Sequence, residues 1–179
     1  MACGILKNFT YNPCIANLGG IKNVWLAEFE EDILVKGEDG NITLTDELAS
    51  VKTGVSWYHF KMRKNVATMT STLNNSTDGA SYVTTELALV FSRMDATKRA
   101  SIQALALDEL VAIVEDNNGE YWFLGADAPL VATAGAGETG TAMGDANRYT
   151  ITLTDESKQF PYRIDKRPTE VTEPSEPTE

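Results

Sequence analysis

The stretch VSWYHFKMRKNVATMTSTLNNSTDGASYVTTELALVFSRM, residues 55–94, decides how this chain is read. Tyr58, Phe60 and Met62 alternate with His59, Lys61 and Arg63, the two-residue period of a strand with one face in and one face out. Beyond Val66 the alternation continues with Thr68, Thr70 and Thr72, which are β-branched but polar. A turn cluster, NNSTDGAS at 74–81, follows, and YVTTELALVFSRM returns as a second strand with Leu87, Leu89 and Phe91 on one face. Strands in globular domains usually run about 5–6 residues. Arms this long predict a hairpin whose polar end projects from the body.

Strand signals extend on both sides. IKNVWLAEFE at 21–30 sets Trp25, Ala27 and Phe29 against Val24, Leu26 and Glu28, so both faces are largely apolar, as in a strand packed on two sides. Residues 32–36 and 41–45 flank GEDG and predict a short hairpin. Downstream, Asp95 is a natural N-cap for one helix over 96–108, with Ile102, Leu105 and Ala106 on one face. LVAIVED and EYWFLG then form a hairpin about Asn118-Gly119. RYTITLT alternates Tyr149, Ile151 and Leu153 with threonines, and PYRID is a last short strand. The fold class is mainly β: a sandwich or barrel of antiparallel strands with one flanking α-helix and a long projecting hairpin. The chain divides into an arm (1–20), a β-sandwich domain (21–165) and an acidic, Pro-rich tail (166–179) that carries too little apolar surface to fold.

Composition narrows function. At 179 residues and 42% hydrophobic the chain suits one soluble domain, and no apolar run reaches the roughly 20 residues of a membrane helix. The N-terminus lacks the basic and apolar regions of a signal peptide. Cys3 and Cys14 read as ordinary reduced residues, and His59 is the only histidine, so neither a zinc site nor more than one triad can be assembled. His59 alternates with Lys61 and Arg63 and reads as exposed. A net charge of −11 opposes nucleic-acid binding, which draws its affinity from lysine and arginine on phosphate.

GAGETG at 135–140 matches G-x-G-x-x-G, yet a dinucleotide site needs a helix opening at the last glycine. Here Thr141 to Asn147 includes Gly144 and leads to a strand, so the reading is a flexible Gly/Ala loop. On that reading Gly137→Ala and Gly140→Ala leave the melting of the isolated chain nearly unchanged. No catalytic residue, cofactor or metal is expected. The candidate residues are instead those of a subunit interface: the basic knot Lys61, Arg63 and Lys64; Met69, Leu73 and Tyr82 on the hairpin; and Gly135, Gly137, Gly140 and Gly144.

With these elements the chain resembles the tail tube (major tail) proteins of long-tailed bacteriophages. The likeness spans roughly residues 18–165 and rests on NLGGIKNVWLAEFE, the long hairpin, the helix, and a Gly-containing loop leading into a Tyr-Thr-hydrophobic-Thr strand and a short strand near a proline. Those last positions are Gly144, Tyr149, Thr150, Ile151, Thr152, Leu153 and Pro161. The resemblance implies a ring of six copies whose sheets join into an inner barrel, and rings stacked into a tube. It implies as partners other copies of the chain, other virion tail proteins, and DNA passing without specific binding, with no membrane. It places the protein in the virion tail after synthesis in the host bacterial cytoplasm. Related virion folds include head–tail joining and tail terminator rings. A reading from another class is a monomeric β-sandwich module that binds a ligand with the Gly loop and Trp57 or Trp122.

Overall fold

The computed structural model describes residue 14 and residues 16–35, 50–63, 66–164 and 167–168. The GEDG turn and its expected second arm at 41–45, Cys3, Lys64, most of the 1–20 arm and nearly all of the 166–179 tail lie outside them.

The expected class holds: two antiparallel sheets face each other and one helix flanks them. The first sheet has five strands. β1 (Ile21–Glu28) lies between β4 (Tyr58–Lys61) and β7 (Leu110–Asp116), and β8 (Tyr121–Leu124) and β11 (Tyr162–Ile164) follow beyond β7. The second sheet has four strands in the order β5 (Thr68–Asn75), β6 (Ser81–Ser92), β10 (Arg148–Ser157), β9 (Val131–Glu138). A two-stranded ribbon, β2 (Leu34–Val35) with β3 (Ser50–Val51), completes the set, so the partner of Leu34–Val35 is a strand well beyond 41–45.

Alternation explains two cores. Val24 and Leu26 on β1, Ala112 and Val114 on β7, Leu87 and Leu89 on β6, and Ile151 and Leu153 on β10 close the space between the sheets. The opposite phase of the same central strands, Trp25, Ala27, Val111 and Ile113, packs with Ile33, Leu34, Val55, Trp57, Phe123 and Ile164 on the far side of the five-stranded sheet. β1 is therefore apolar on both faces because both faces are covered.

The long hairpin is real but begins later than its two-residue period suggests. Tyr58–Lys61 pairs with β1 in the five-stranded sheet, with Trp25 opposite His59, while β5 pairs with β6 from Thr68↔Ala88 to Asn75↔Ser81. The chain changes sheets between Lys61 and Thr68, and Met62 and Ala67 are buried in the core between the sheets. Beyond the last β6–β10 pair, Ser157↔Val83, the tip about Gly79 stands clear, closed by the Ser76 amide on the Ala80 carbonyl at 2.8 Å.

The other sequence expectations translate into specific contacts. Asp95 caps α1 (Ala96–Leu105), its Oδ1 accepting the Lys98 amide at 2.7 Å. The helix ends at Leu105, three residues before Asp108, and offers Ile102 and Leu105 to the inter-sheet core. Asp116-Asn-Asn-Gly119 turns as expected, with Gly119 at φ 87. Its asparagines also hold the chain entering β1: Asn118 Oδ1 accepts the Leu18 amide at 2.8 Å, and Asn117 Nδ2 donates to the Gly19 carbonyl at 2.6 Å.

Candidate assembly interface

The two sheets treat their edges differently. The five-stranded sheet ends on four-residue β4, which carries Lys61, and three-residue β11, which carries Arg163. Short edges bearing cations are the usual protection against unwanted strand pairing. The four-stranded sheet ends on β5, TMTSTLNN, and β9, VATAGAGE, each eight residues long. Neither carries a lysine, arginine or proline, and the only charge on either is Glu138 at the end of β9. Among the described residues no strand pairs with either of these edges, and long edges without such protection are templates for strand pairing.

β9 corrects the reading of the glycine stretch. Gly135 and Gly137 belong to a strand paired with β10, opposite Ile151 and Tyr149 respectively, and are not in a loop. Glycine and alanine have low strand propensity, which hid β9 in the sequence; the register with β10 supplies the stability that propensity does not. The Tyr149 ring lies over Gly137, so that a Cβ there would sit 2.8 Å from Cε1. No helix follows Gly140: the chain passes through a loop and enters β10.

That loop is ordered by Asp145. Its Oδ2 accepts the amides of Thr141 at 2.8 Å and Ala142 at 2.7 Å and the Thr141 hydroxyl at 3.1 Å. These bonds, the Ala142 amide foremost, hold the Asp145 carboxyl below its usual range. Gly140 has φ 71, and a Cβ on it would fall 2.2 Å from Asp145 Cβ. Gly140→Ala is therefore expected to lower the unfolding free energy by about 1–3 kcal/mol, and Gly137→Ala by about 1 kcal/mol as Tyr149 shifts. Gly144→Ala and Gly135→Ala, where the added methyl meets open space or ordinary contact, stay within about 0.5 kcal/mol of wild type. Urea denaturation of the four variants checks the order.

The candidate residues thus fall into three places. Lys61 and Arg63 are exposed at the edge of the five-stranded sheet, where they act as guards, and Lys64 is outside the described residues. Met69, Leu73 and Tyr82 lie on the β5–β6 arm, with Met69 against the core and Leu73 and Tyr82 exposed. Gly135 and Gly137 line the opposite edge, and Gly140 and Gly144 belong to the Asp145 loop. Ile102, Ala106 and Tyr149, which the sequence places on a helix face and a strand but not in the site, line with β9 a groove of about 410 Å³. The signal for it was the Gly-x-Gly phase of residues 135–137 facing the same side as Ile151.

The outward face of the four-stranded sheet carries a second signal. Thr70, Glu86, Thr154 and, one step on, Thr72, Thr84 and Glu156 lie side by side across β5, β6 and β10. Glu86 and Glu156 are exposed and join no ion pair among the described residues, whereas Arg148 at the far end is matched by Glu138. The face is a lattice of hydroxyls with a net negative charge.

Chemistry of other kinds finds little here. Trp57 is buried, and the Trp122 indole donates to Asp116 Oδ2 at 3.3 Å, so Trp57 presents no ring to a ligand and Trp122 is engaged within its own hairpin. His59 is exposed, stacks on Trp25 at 5.0 Å and shares a 2.9 Å hydrogen bond with Asn23. Buried Glu115 is satisfied by Lys22 at 2.9 Å and Asn23 at 2.6 Å, and its hydrogen bond raises the Lys22 pKa. Among the described residues no group of acidic, histidine or cysteine side chains is arranged for a metal, and no helix is long and apolar enough to cross a membrane. Comparison with protein-family models, with curated proteins and with solved structures returned no match.

Proposed function

We propose that this chain is a self-assembling structural protein whose four-stranded sheets join edge to edge into a closed ring, and that the rings stack into a tube that conducts DNA. The observation that carries the reading is the contrast in edges: the sheet with two long edges free of cations is built to continue, and the sheet with two short cationic edges is built to stop. Strand direction agrees with it. Each strand of the four is antiparallel to its neighbour, so β5 and β9 run in opposite senses. When β9 of one copy meets β5 of the next around an axis, the new pair is also antiparallel. Joining therefore repeats without a break in pattern, and it closes when the ring closes.

The resemblance to phage tail tube proteins supplies the number of copies and the virion setting. Six copies would give a barrel of about two dozen strands, more than the 16–18 that already enclose an aqueous channel. The inward phase of each sheet is spent on the core, so the hydroxyl and carboxylate face would line the bore. Glu86 and Glu156 there would repel phosphates and let DNA slide without adhering.

Negative-stain micrographs and sedimentation of the full chain test the reading. Rings or tubes are expected from wild type. Thr72→Lys and Ala134→Lys, one cation on each open edge, are expected to leave a folded monomer, copying what Lys61 does for the other sheet. A wild-type protein that stays monomeric at high concentration would sink the proposal.

A further inference from the structure

No described residue occupies the groove between α1 and β9, and its shape follows from where β9 lacks side chains. On that strand Ala134 and Ala136 face outward, while Gly135 and Gly137 face the helix, in register with Ile151 and Tyr149. Tyr149 already fills the space above Gly137. Above Gly135 the space is open: a Cβ there would meet only the Thr150 carbonyl, at 3.6 Å. Ile102 and Ala106 of the helix form the opposite wall.

The opposite edge of the same sheet carries side chains with the complementary problem. On β5 the inward phase is Met69, Ser71 and Leu73, opposite Leu87, Thr85 and Val83. Met69 packs on the inter-sheet core, and Ser71 shares a hydrogen bond with Thr85 at 3.1 Å. Leu73 is 49% exposed although its cross-strand partner Val83 is buried. It is an apolar side chain on the core phase of a strand, with no described residue beyond it to complete the core.

We infer that the groove is a socket for the inward side chains of β5, Leu73 foremost, of a second copy of this chain. The inference rests on the edge-joining reading and adds to it the side chains that select the partner. When β9 of one copy pairs with β5 of the next, both strands keep their inward phase on the same side of the continued sheet. The inward side chains of β5 then enter beneath α1, where the glycines leave room. Charge agrees: socket and knob are both uncharged, so burial on joining leaves no unpaired ion.

The test measures assembly of the full chain by sedimentation velocity over a concentration series, with circular dichroism to follow folding. Gly135→Leu fills the socket from within. Leu73→Ala removes the knob at an exposed position that the fold does not need. Each is expected to raise the concentration for half-assembly at least tenfold with the melting of the monomer unchanged. The double variant, its knob trimmed to suit the filled socket, is expected to assemble better than Gly135→Leu alone. If both single variants assemble like wild type while Thr72→Lys is monomeric, the socket is wrong and edge joining stands. If all three assemble like wild type, both fall.

Discussion

Trp57→Ala is expected to lower the unfolding free energy by about 3–5 kcal/mol, the range for deleting a large buried aromatic. Trp57 is 2% exposed and belongs to the second core, with Trp25, Ile113, Phe123 and Ile164. That core is what buries the outer face of the five-stranded sheet, and among the described residues no larger sheet lies over it. Ile33, Leu34, Val51 and Val55 belong to its cover. Loss of the indole opens a cavity that such a cover fills only in part. Guanidinium denaturation followed by circular dichroism checks the value. A variant with wild-type stability would mean that Trp57 is a surface ring, as a ligand-binding module would need, and the second core would have to be redrawn.

Trp57 also marks where sequence reading stops. Its alternating neighbours Tyr58, Phe60 and Met62 announce a strand, and the strand is there. The two-residue period says which side chains share a face but not which sheet the strand joins. Tyr58–Lys61 and Thr68–Asn75 read as one arm because the period runs through both, although the chain changes sheets between them. Elements whose evidence is local were legible: the Asp95 cap, the Asn117–Gly119 turn, and β10 with Ile151 and Leu153 inward. β9 was not, because Gly-Ala-Gly has neither propensity nor pattern, and only its pairing with β10 makes it a strand. The candidate interface was half legible for the same reason. The exposed Leu73 and the glycines could be named from the sequence, but that they sit on opposite edges of one sheet is a fact of topology.

The contrast between sheets has a physical consequence for the isolated subunit. A long unguarded edge is a hazard until it is paired, and the chain carries two. On the proposed assembly, the net charge of −11 would keep free copies apart at long range, while the edges, with Glu138 at the end of β9 as their only charge, would oppose the final approach little. Charge on the body and little on the edges would favour ordered joining over indiscriminate adhesion.

The second large effect is expected at Gly125→Ala, which should cost about 2–4 kcal/mol, and more at neutral pH than in acid. Gly125 follows β8 with φ 85, and an added Cβ would lie 3.1 Å from the Leu110 carbonyl and 3.2 Å from Val111, atoms fixed by the central strand of the sheet. Backbone there cannot yield as an exposed loop does. The Gly125 amide also donates to Asp155 Oδ2 at 2.9 Å, tying the five-stranded sheet to β10 of the other. Asp155 is 4% exposed, and its second oxygen, Oδ1, has no hydrogen-bond partner among the described residues. Burial therefore pushes its carboxyl above the ordinary 3.8, against the opposing pull of Gly125, Ser157 and Thr85. A carboxyl raised on folding stabilises fully below pH 3.8, and that contribution is lost as pH rises through the folded pKa. Displacing the Gly125 amide removes the strongest of the opposing contributions, raises the carboxyl further and enlarges the loss. Urea unfolding at pH 3.5 and at pH 7 should show the Gly125→Ala penalty growing with pH. A penalty that shrinks with rising pH would mean that the Gly125 amide does not favour the ionised carboxyl, and that its hydrogen bond to Asp155 is not what links the sheets.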